Sequence, residues 1–391
     1  MFTSLKDFNK IFYKNSVLKV DLKKSRINTL DGFRALAILA VMLFHYFSRW
    51  TPPHNPVSKY PYNDSYDYFN YGYLGVNFFF IISGFVIFFT LENTLNFTSF
   101  WKKRFIRLFP SMVFAAVLTY VICTFFDNNN LFPGSHLAKN ILPSLTFINP
   151  FIINKLFNTN IGYISGTYWS LWPEIQFYLF SSTVYYLNKK KFIRNFLIIS
   201  TGLIAVNYLL QNLNGSNLIK NDFLSHFLAV YSLWIQKGFN LIVYLPFFIM
   251  GIIFYLLFKN NLSKVETPMV IKIFLGLLIL FAVFTTIELP VRIAYLLMCL
   301  LFLVFIYYPK NLNILEDKGL TSIGKSSYFL YLIHENIGVL CIYSFGTYFL
   351  PFGFVITILI IYFLILSSNF FTVKIDSYLH TRLKNIINVS K

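Results

Sequence analysis

Residues 72–89 of the chain read GYLGVNFFFIISGFVIFF, and this stretch decides the fold class. Its residues do not alternate between polar and apolar, so it is unlike a strand of a membrane barrel. As an α-helix rising 1.5 Å per residue, a run of about 20 such residues crosses a hydrocarbon core of roughly 30 Å. Similar runs recur, as in FLGLLILFAVF at residues 274–284. The pattern predicts an all-α integral membrane protein.

Composition indicates the same class of protein. Of the 391 residues, 57% are hydrophobic and only 12% are charged, and the mean hydropathy is +0.61. These values exclude an ordinary soluble domain. We predict about ten transmembrane helices, at residues 30–49, 73–91, 108–126, 168–187, 195–212, 240–258, 270–288, 291–308, 327–346 and 352–371.

Lysine and arginine are concentrated in alternate connections. Six segments hold 25 of the 33 basic residues, namely the two termini and residues 102–107, 189–194, 259–272 and 310–325. Because cytoplasmic loops retain basic residues during insertion, the pattern predicts an even number of spans with cytoplasmic N and C termini. The expected organisation is a basic cytoplasmic segment at residues 1–28, a ten-helix membrane domain at residues 29–372 and a short cytoplasmic tail at residues 373–391.

The formal net charge of +18 follows from the same bias. Basic loops at the cytoplasmic face also contact anionic head groups, so we expect membrane lipids, and not nucleic acid, as partners of these charges. The basic N-terminus does not predict a cleaved secretory signal. The leader and the apolar run are both too long, and no small-residue cleavage site follows.

The first predicted helix carries a cation and an imidazole on one face. Arg34 and His45 are 11 residues apart, which returns within about 20° of the same helical direction and rises about 16 Å. Asp31, one turn before Arg34, is spaced to pair with it. Singly, Arg34 also fits an arginine that snorkels to the interface, and His45 fits an interfacial polar tip. Together on one stripe they indicate a functional site, because ionisable groups in hydrocarbon are costly.

The predicted fourth helix enters the membrane as TYWSLWPEIQFYLF, with Glu174 about one and a half turns below Trp169. This puts Glu174 at nearly the depth of His45, and we expect the carboxylate to fix the imidazole tautomer and support its cationic form. The alternative is a Glu174 whose carboxylate is satisfied by hydroxyls such as those of Ser170 or Tyr178.

Four further polar residues lie in or beside the predicted spans. Ser83 lies near mid-membrane beside a glycine, where helix packing is the default interpretation. Arg104 and Arg107 are three residues apart in FWKKRFIRLFP and form a fork that suits a phosphorylated ligand, although topology alone also accounts for them. His334, in SSYFLYLIHEN, is interpreted either as a core hydrogen-bonding group or as a catalytic one.

Common soluble-enzyme motifs are missing from the sequence. It holds no Walker loop, dinucleotide fingerprint, HExxH or GxSxG motif. Its three cysteines fall in apolar runs without metal-ligand spacing, so we expect no metal.

Five stretches carry the most specific information: LDGFRALAILAVMLFH (30–45), GYLGVNFFFIISGF (72–85), FWKKRFIRLFP (100–110), TYWSLWPEIQFYLF (167–180) and SIGKSSYFLYLIHE (322–335). In order and spacing they resemble the acyltransferase-3 family of membrane O-acyltransferases, over residues 28–371. The resemblance implies ten membrane helices and the transfer of an acyl group, usually acetyl from cytoplasmic acetyl-CoA, to a hydroxyl of an extracytoplasmic carbohydrate.

The resemblance also implies roles for individual residues. Arg34 and His45 match the family's Arg-x10-His signature, with the histidine catalytic, and Arg104 and Arg107 match its basic motif for the acyl-CoA phosphates. Two further matches are the carboxylate of the WSLxxExxFY motif, Glu174, and the histidine of the penultimate helix, His334. Many members carry a C-terminal esterase-like domain. Since this sequence stops 20 residues after its last predicted helix, a stand-alone transferase is implied.

The expected mechanism starts with acyl-CoA at the arginine cluster and its pantetheine arm along the first helix. His45, oriented by Glu174, then deprotonates the acceptor hydroxyl or carries the acyl group itself. The acceptor stays open among O-antigen of lipopolysaccharide, exopolysaccharide, a peptidoglycan precursor, a lipid-linked sugar and a hydroxylated metabolite. The expected location is the bacterial inner membrane. The competing class is a transporter that uses the Arg, His and Glu groups as a proton or substrate relay.

Overall fold

The structure, a computed structural model, describes residues 27–51, 67–214, 221–346, 348–349 and 352–387. Throughout these residues the regular structure is helical, and none of them lies in a β-strand. The predicted all-α class is therefore confirmed. The expected basic segment at residues 1–28 lies almost entirely outside the described residues, as do the last four residues of the expected tail.

Fifteen α-helices are described. In chain order they are α1 (Asn28–Phe44), α2 (Gly75–Glu92), α3 (Phe97–Phe126), α4 (Ile141–Thr146), α5 (Pro150–Phe157), α6 (Leu171–Leu187), α7 (Phe192–Asn214), α8 (Asp222–Lys237), α9 (Leu241–Leu262), α10 (Met269–Phe284), α11 (Leu289–Tyr307), α12 (Lys318–Ile333), α13 (Val339–Gly346), α14 (Gly353–Phe370) and α15 (Ser377–Ile386).

Eight helical segments of the described chain are long and apolar enough to cross a membrane: Asn28–Arg49, Asp67–Glu92, Phe97–Phe126, Lys189–Asn214, Leu241–Leu262, Leu289–Tyr307, Lys318–Gly346 and Gly353–Ile386. They define an integral membrane protein. The predicted spans at 168–187 and 270–288 correspond to α6 and α10, which have 17 and 16 residues. At 1.5 Å per residue these helices reach about 25 Å, short of a typical hydrocarbon core.

The chain divides into two compact units, which are described separately. Unit A comprises residues 27–79, 101–171 and 312 onward. Unit B comprises Phe80–Phe100 and Trp172–Asn311 among the described residues.

In unit A, α1 and α12 contact each other through their main chains. A Cβ added at Gly324 would clash with the backbone carbonyl of Asp31, and one at Gly32 would clash with that of Leu315. Small residues allow this approach because they leave no side chain between two helix backbones. The close contact brings the ends of α1 and α12, and with them His45 and His334, to one place.

We expect Gly324→Ala to destabilise the protein by about 1–3 kcal/mol, because the added methyl must push α1 away from α12. Thermal unfolding of the detergent-purified protein measures the effect as a lower melting temperature. Gly276→Ala is the matched control. Nothing lies within 4 Å of a Cβ at Gly276 in α10, so that substitution gains helix propensity without a clash. Equal melting temperatures for the two variants would contradict the described contact.

Unit B has its own close contact and aromatic core. Gly84 of α2 lies against Phe248 and Gly251 of α9, where an added Cβ would clash with backbone atoms. The ring of Phe177 stacks on Phe248 with centroids 4.1 Å apart. These contacts join α2, α6 and α9, and they position the carboxylate of Glu174 described below.

Candidate active site

Both membrane histidines begin a π turn at the end of a helix in unit A. His45 opens the turn His45–Arg49 after α1, and His334 opens the turn His334–Gly338 after α12. A π turn replaces the regular i→i−4 hydrogen bonds with i→i−5 bonds, and such turns are frequent at functional sites. Here the backbone N–H of Trp50 donates to the carbonyl of His45 over 3.3 Å.

The two imidazoles contact each other, and main-chain carbonyls fix their tautomers. Nδ1 of His334 lies 2.7 Å from the carbonyl oxygen of Tyr331, and Nδ1 of His45 lies 2.8 Å from that of Val41. A carbonyl only accepts, so both Nδ1 atoms carry a hydrogen. Nε2 of His334 is 3.3 Å from Nδ1 of His45, and in the neutral ring it accepts from that hydrogen. The arrangement leaves Nε2 of His45 as the atom that takes up or releases a proton.

The free nitrogen of His45 faces a carboxylate. Nε2 lies 3.5 Å from Oε1 of Glu335, and the two side chains are 12% and 10% exposed. The indole N–H of Trp50 donates to Oε1 over 3.3 Å, and the backbone N–H of Thr167 donates to Oε2 over 3.2 Å. Each oxygen of Glu335 thus accepts one N–H hydrogen bond, and Oε1 also lies beside the imidazole of His45.

Tyr46, which belongs to the first π turn, contacts the second π turn. Its hydroxyl donates to the carbonyl of His334 over 2.6 Å and packs against Gly338, where a Cβ would clash with the ring. Tyr46 is fully buried. The hydrogen bond therefore links the two π turns through a buried side chain.

Within unit A the carboxylate beside His45 is that of Glu335, and the predicted pair of His45 with Glu174 stays a prediction. Glu174 belongs to unit B, where its Oε1 accepts from the hydroxyls of Ser83 over 2.8 Å and Tyr178 over 2.5 Å. The alternative of a hydroxyl-satisfied Glu174 thus holds for Tyr178, and Ser83 does more than pack.

The residues of the stretch TYWS, at 167–170, lie in unit A, in the 3₁₀ turn Gly166–Ser170. The hydroxyl of Ser170 is 2.8 Å from that of Tyr331 and donates to the carbonyl of Thr167 over 3.2 Å, so it does not serve Glu174. Trp169 is half-buried beside it. This turn also supplies the backbone N–H of Thr167 to Glu335.

The predicted basic residues occupy different environments. Nη1 of Arg34 lies 2.9 Å from Oδ1 of the buried Asp31, as their spacing predicts. Arg104 is buried in α3, whereas Arg107 is exposed and lies near Asp376. The two arginines of the predicted fork therefore differ in exposure, and only Arg107 presents its guanidinium at the surface.

The geometry brings His45, His334 and Glu335 into contact, and comparison with known proteins gives the family of the chain. Residues 27–372 match the model of an acyltransferase domain of the acyltransferase-3 type. The chain belongs to this acyltransferase family. The match covers the histidine pair, Glu335 and all the arginines discussed above. No solved structure matches the chain.

The curated relatives are distant O-acetyltransferases. A peptidoglycan O-acetyltransferase of Listeria monocytogenes is 27% identical over 169 residues, which cover 39% of this chain and 23% of the relative. A putative peptidoglycan O-acetyltransferase of Bacillus subtilis is 30% identical over 162 residues, 38% of this chain and 22% of the relative. A putative O-acetyltransferase of Staphylococcus aureus is 27% identical over 215 residues, 50% and 32% respectively. The chain thus spans about a quarter to a third of the length of these relatives.

Proposed function

We propose that this protein is a membrane O-acetyltransferase that moves acetyl from cytoplasmic acetyl-CoA to a hydroxyl of an extracytoplasmic carbohydrate. Membership of an acyltransferase family supports an enzyme over a transporter. The relatives are named O-acetyltransferases, which supports acetyl as the acyl group, and two of them are named for peptidoglycan, which supports peptidoglycan as an acceptor. O-antigen of lipopolysaccharide, exopolysaccharide and lipid-linked sugars are the other acceptors that this proposal includes.

The observation that carries the proposal is the set of contacts made by the two ring nitrogens of His45. Its Nδ1 is anchored to Val41 and His334, and its Nε2 faces Glu335. Because the carbonyl of Val41 holds Nδ1, Nε2 is the nitrogen that can act as a general base, and the nearby carboxylate stabilises the positive charge that the imidazole acquires in the reaction. In a family that transfers acyl groups, the proton to be removed is that of the acceptor hydroxyl.

In the proposed reaction His45 is the base and Glu335 stabilises the imidazolium. The acceptor oxygen attacks the thioester carbon while Nε2 of His45 takes the hydroxyl proton. The carbon–sulfur bond then breaks, and His45 gives the proton to the departing thiolate, so that ester and free CoA result.

The sidedness of the reaction belongs to the same proposal. If α6 and α10 also cross the membrane, the chain has ten spans and cytoplasmic termini. Helices this short cross where the bilayer is locally thinner or where flanking residues snorkel to the interface. The distribution of 25 of the 33 basic residues supports that topology. We assign the protein to the bacterial inner membrane, where cytoplasmic acetyl-CoA and extracytoplasmic glycans face opposite sides.

We expect Arg34, Arg104 and Arg107 to bind the anionic acyl donor. Replacing Arg104 or Arg107 with Gln removes a charge-assisted hydrogen bond, so the KM for acetyl-CoA should rise roughly tenfold while the acceptor KM stays unchanged. Steady-state kinetics with varied acetyl-CoA measure the change. Arg292→Gln is the control, because Arg292 donates to the carbonyl of Thr286 in unit B. A change in acceptor KM alone would refute the donor role.

Purified protein in lipid nanodiscs tests the function directly. With acetyl-CoA labelled in the acetyl group and a panel of bacterial glycans, we expect free CoA and a labelled ester to form in equal amounts. Mass spectrometry of the glycan identifies the acceptor. Solute flux in liposomes without any ester or CoA formation would instead support a transporter and overturn the proposal.

A further inference from the structure

Trp50 lies directly over the proposed catalytic carboxylate. In a regular α-helix five residues rotate a side chain by about 140°. The π turn at His45–Arg49 closes with the bond from the N–H of Trp50 to the carbonyl of His45 and so brings the indole back toward the side of His45. Its Nε1 then reaches Oε1 of Glu335 over 3.3 Å.

The indole of Trp50 is held in place without being covered. Its ring packs on Phe132 with centroids 4.8 Å apart and an interplanar angle of 56°. The side chain is nevertheless only half-buried. A tryptophan that is fixed at its N–H and along one side, and still accessible, keeps part of its apolar ring available for a ligand.

The other oxygen of Glu335, Oε2, lies near Gly166, which has no side chain. Gly166 is exposed, and a Cβ built on it would lie 3.2 Å from Oε2. Because Gly166 has no side chain, none stands between its exposed backbone and Oε2. The side chain of His45, which faces the same carboxylate, is 12% exposed.

We propose that Trp50 and Gly166 form the acceptor subsite, in which a pyranose ring stacks on the indole while its hydroxyl reaches His45 past Gly166. The inference rests on the proposed function and names its acceptor class. A pyranose presents apolar C–H groups on one face and hydroxyls at its edge. A fixed indole beside a carboxylate and an imidazole matches both parts, with the ring binding the face and the polar groups binding the hydroxyl.

Two substitutions separate the two contributions of Trp50. Trp50→Phe keeps a ring but loses the N–H to Glu335, so kcat should fall while the acceptor KM changes less than threefold. Trp50→Ala loses both, so the acceptor KM should rise about tenfold above that of Trp50→Phe, with the KM for acetyl-CoA unchanged. Trp234→Phe in α8 is the control for a tryptophan of unit B, and we expect wild-type values for it.

Binding is measured independently of turnover by saturation-transfer NMR. The probes are methyl pyranosides of glucose, N-acetylglucosamine and rhamnose, added to nanodisc-embedded protein without acetyl-CoA. We expect saturation of ring C–H protons with wild type and Trp50→Phe, and its loss with Trp50→Ala. Equal signals for Trp50→Ala and wild type would overturn the subsite.

The two proposals fail in different ways. If none of the pyranosides binds while labelled ester still forms on another acceptor, the pyranose subsite is wrong and the acyltransferase function stands. If pyranosides bind through Trp50 but no CoA is released under any condition, the subsite stands and the proposed function fails.

Discussion

His45→Ala should lower kcat for acetyl transfer by about a thousandfold, because the general base is lost and no other group replaces Nε2. Nδ1 of His334 is committed to the carbonyl of Tyr331, and its Nε2 points at His45. The neighbouring histidine therefore has no nitrogen directed at an acceptor. Release of free CoA from acetyl-CoA, measured with purified protein and a saturating acceptor, gives the rate.

His226→Ala is the matched control for this substitution. His226 is exposed on α8 of unit B, so its loss should leave the rate and the melting temperature unchanged. A folded His45→Ala protein that retains more than a tenth of wild-type activity would exclude His45 as the base.

Glu335→Gln should lower kcat by about a hundredfold. The single oxygen of the amide can accept from only one of Trp50 and Thr167, and the amide has no charge to stabilise the imidazolium that forms in the transition state. Because the substitution is nearly isosteric, the KM values for donor and acceptor should change little. Rates under saturating substrates, together with the two KM values, measure the split.

Glu174→Gln tests the competing assignment of the catalytic carboxylate. Its Oε1 accepts only from Ser83 and Tyr178 in the hydrogen bonds described above, and a Gln side chain can accept from both. We therefore expect a smaller loss than for Glu335→Gln. A larger loss of kcat for Glu174→Gln than for Glu335→Gln would support the sequence-based assignment of Glu174 as the partner of His45.

The fold class could be predicted from the sequence because the length of an apolar run is enough to identify a membrane helix. Every predicted span is occupied by a helix, and eight meet the length for crossing. The two shorter helices, α6 and α10, are shortened by local features that a hydropathy profile does not show. The 3₁₀ turn Gly166–Ser170 shortens α6 at its start, and α10 ends at Phe284, before Thr285, Thr286 and Glu288.

The candidate site was accessible only in part. The 11-residue spacing placed Arg34 and His45 on one helix, and i, i+3 geometry predicted the pair of Asp31 with Arg34. Glu335 follows His334 directly in the sequence. In a regular helix, however, adjacent side chains point about 100° apart, so the sequence does not predict that both contact His45. Nothing in the sequence signals the π turns that redirect Glu335 and Trp50, since they arise from tertiary contacts such as that of Tyr46 with His334.

The anchors of the two imidazoles are carbonyl groups, at Val41 and Tyr331, and every amino acid has one. The side chains at these positions can therefore be exchanged during evolution while the protons on both rings stay where they are. A single-residue insertion inside either helix has the opposite effect, because it rotates one ring away from its partner. Outside the histidines and Glu335 themselves, the contact of the two rings therefore depends on the rotational phase of two helices, and insertions and deletions disturb it more than substitutions at the anchoring positions do.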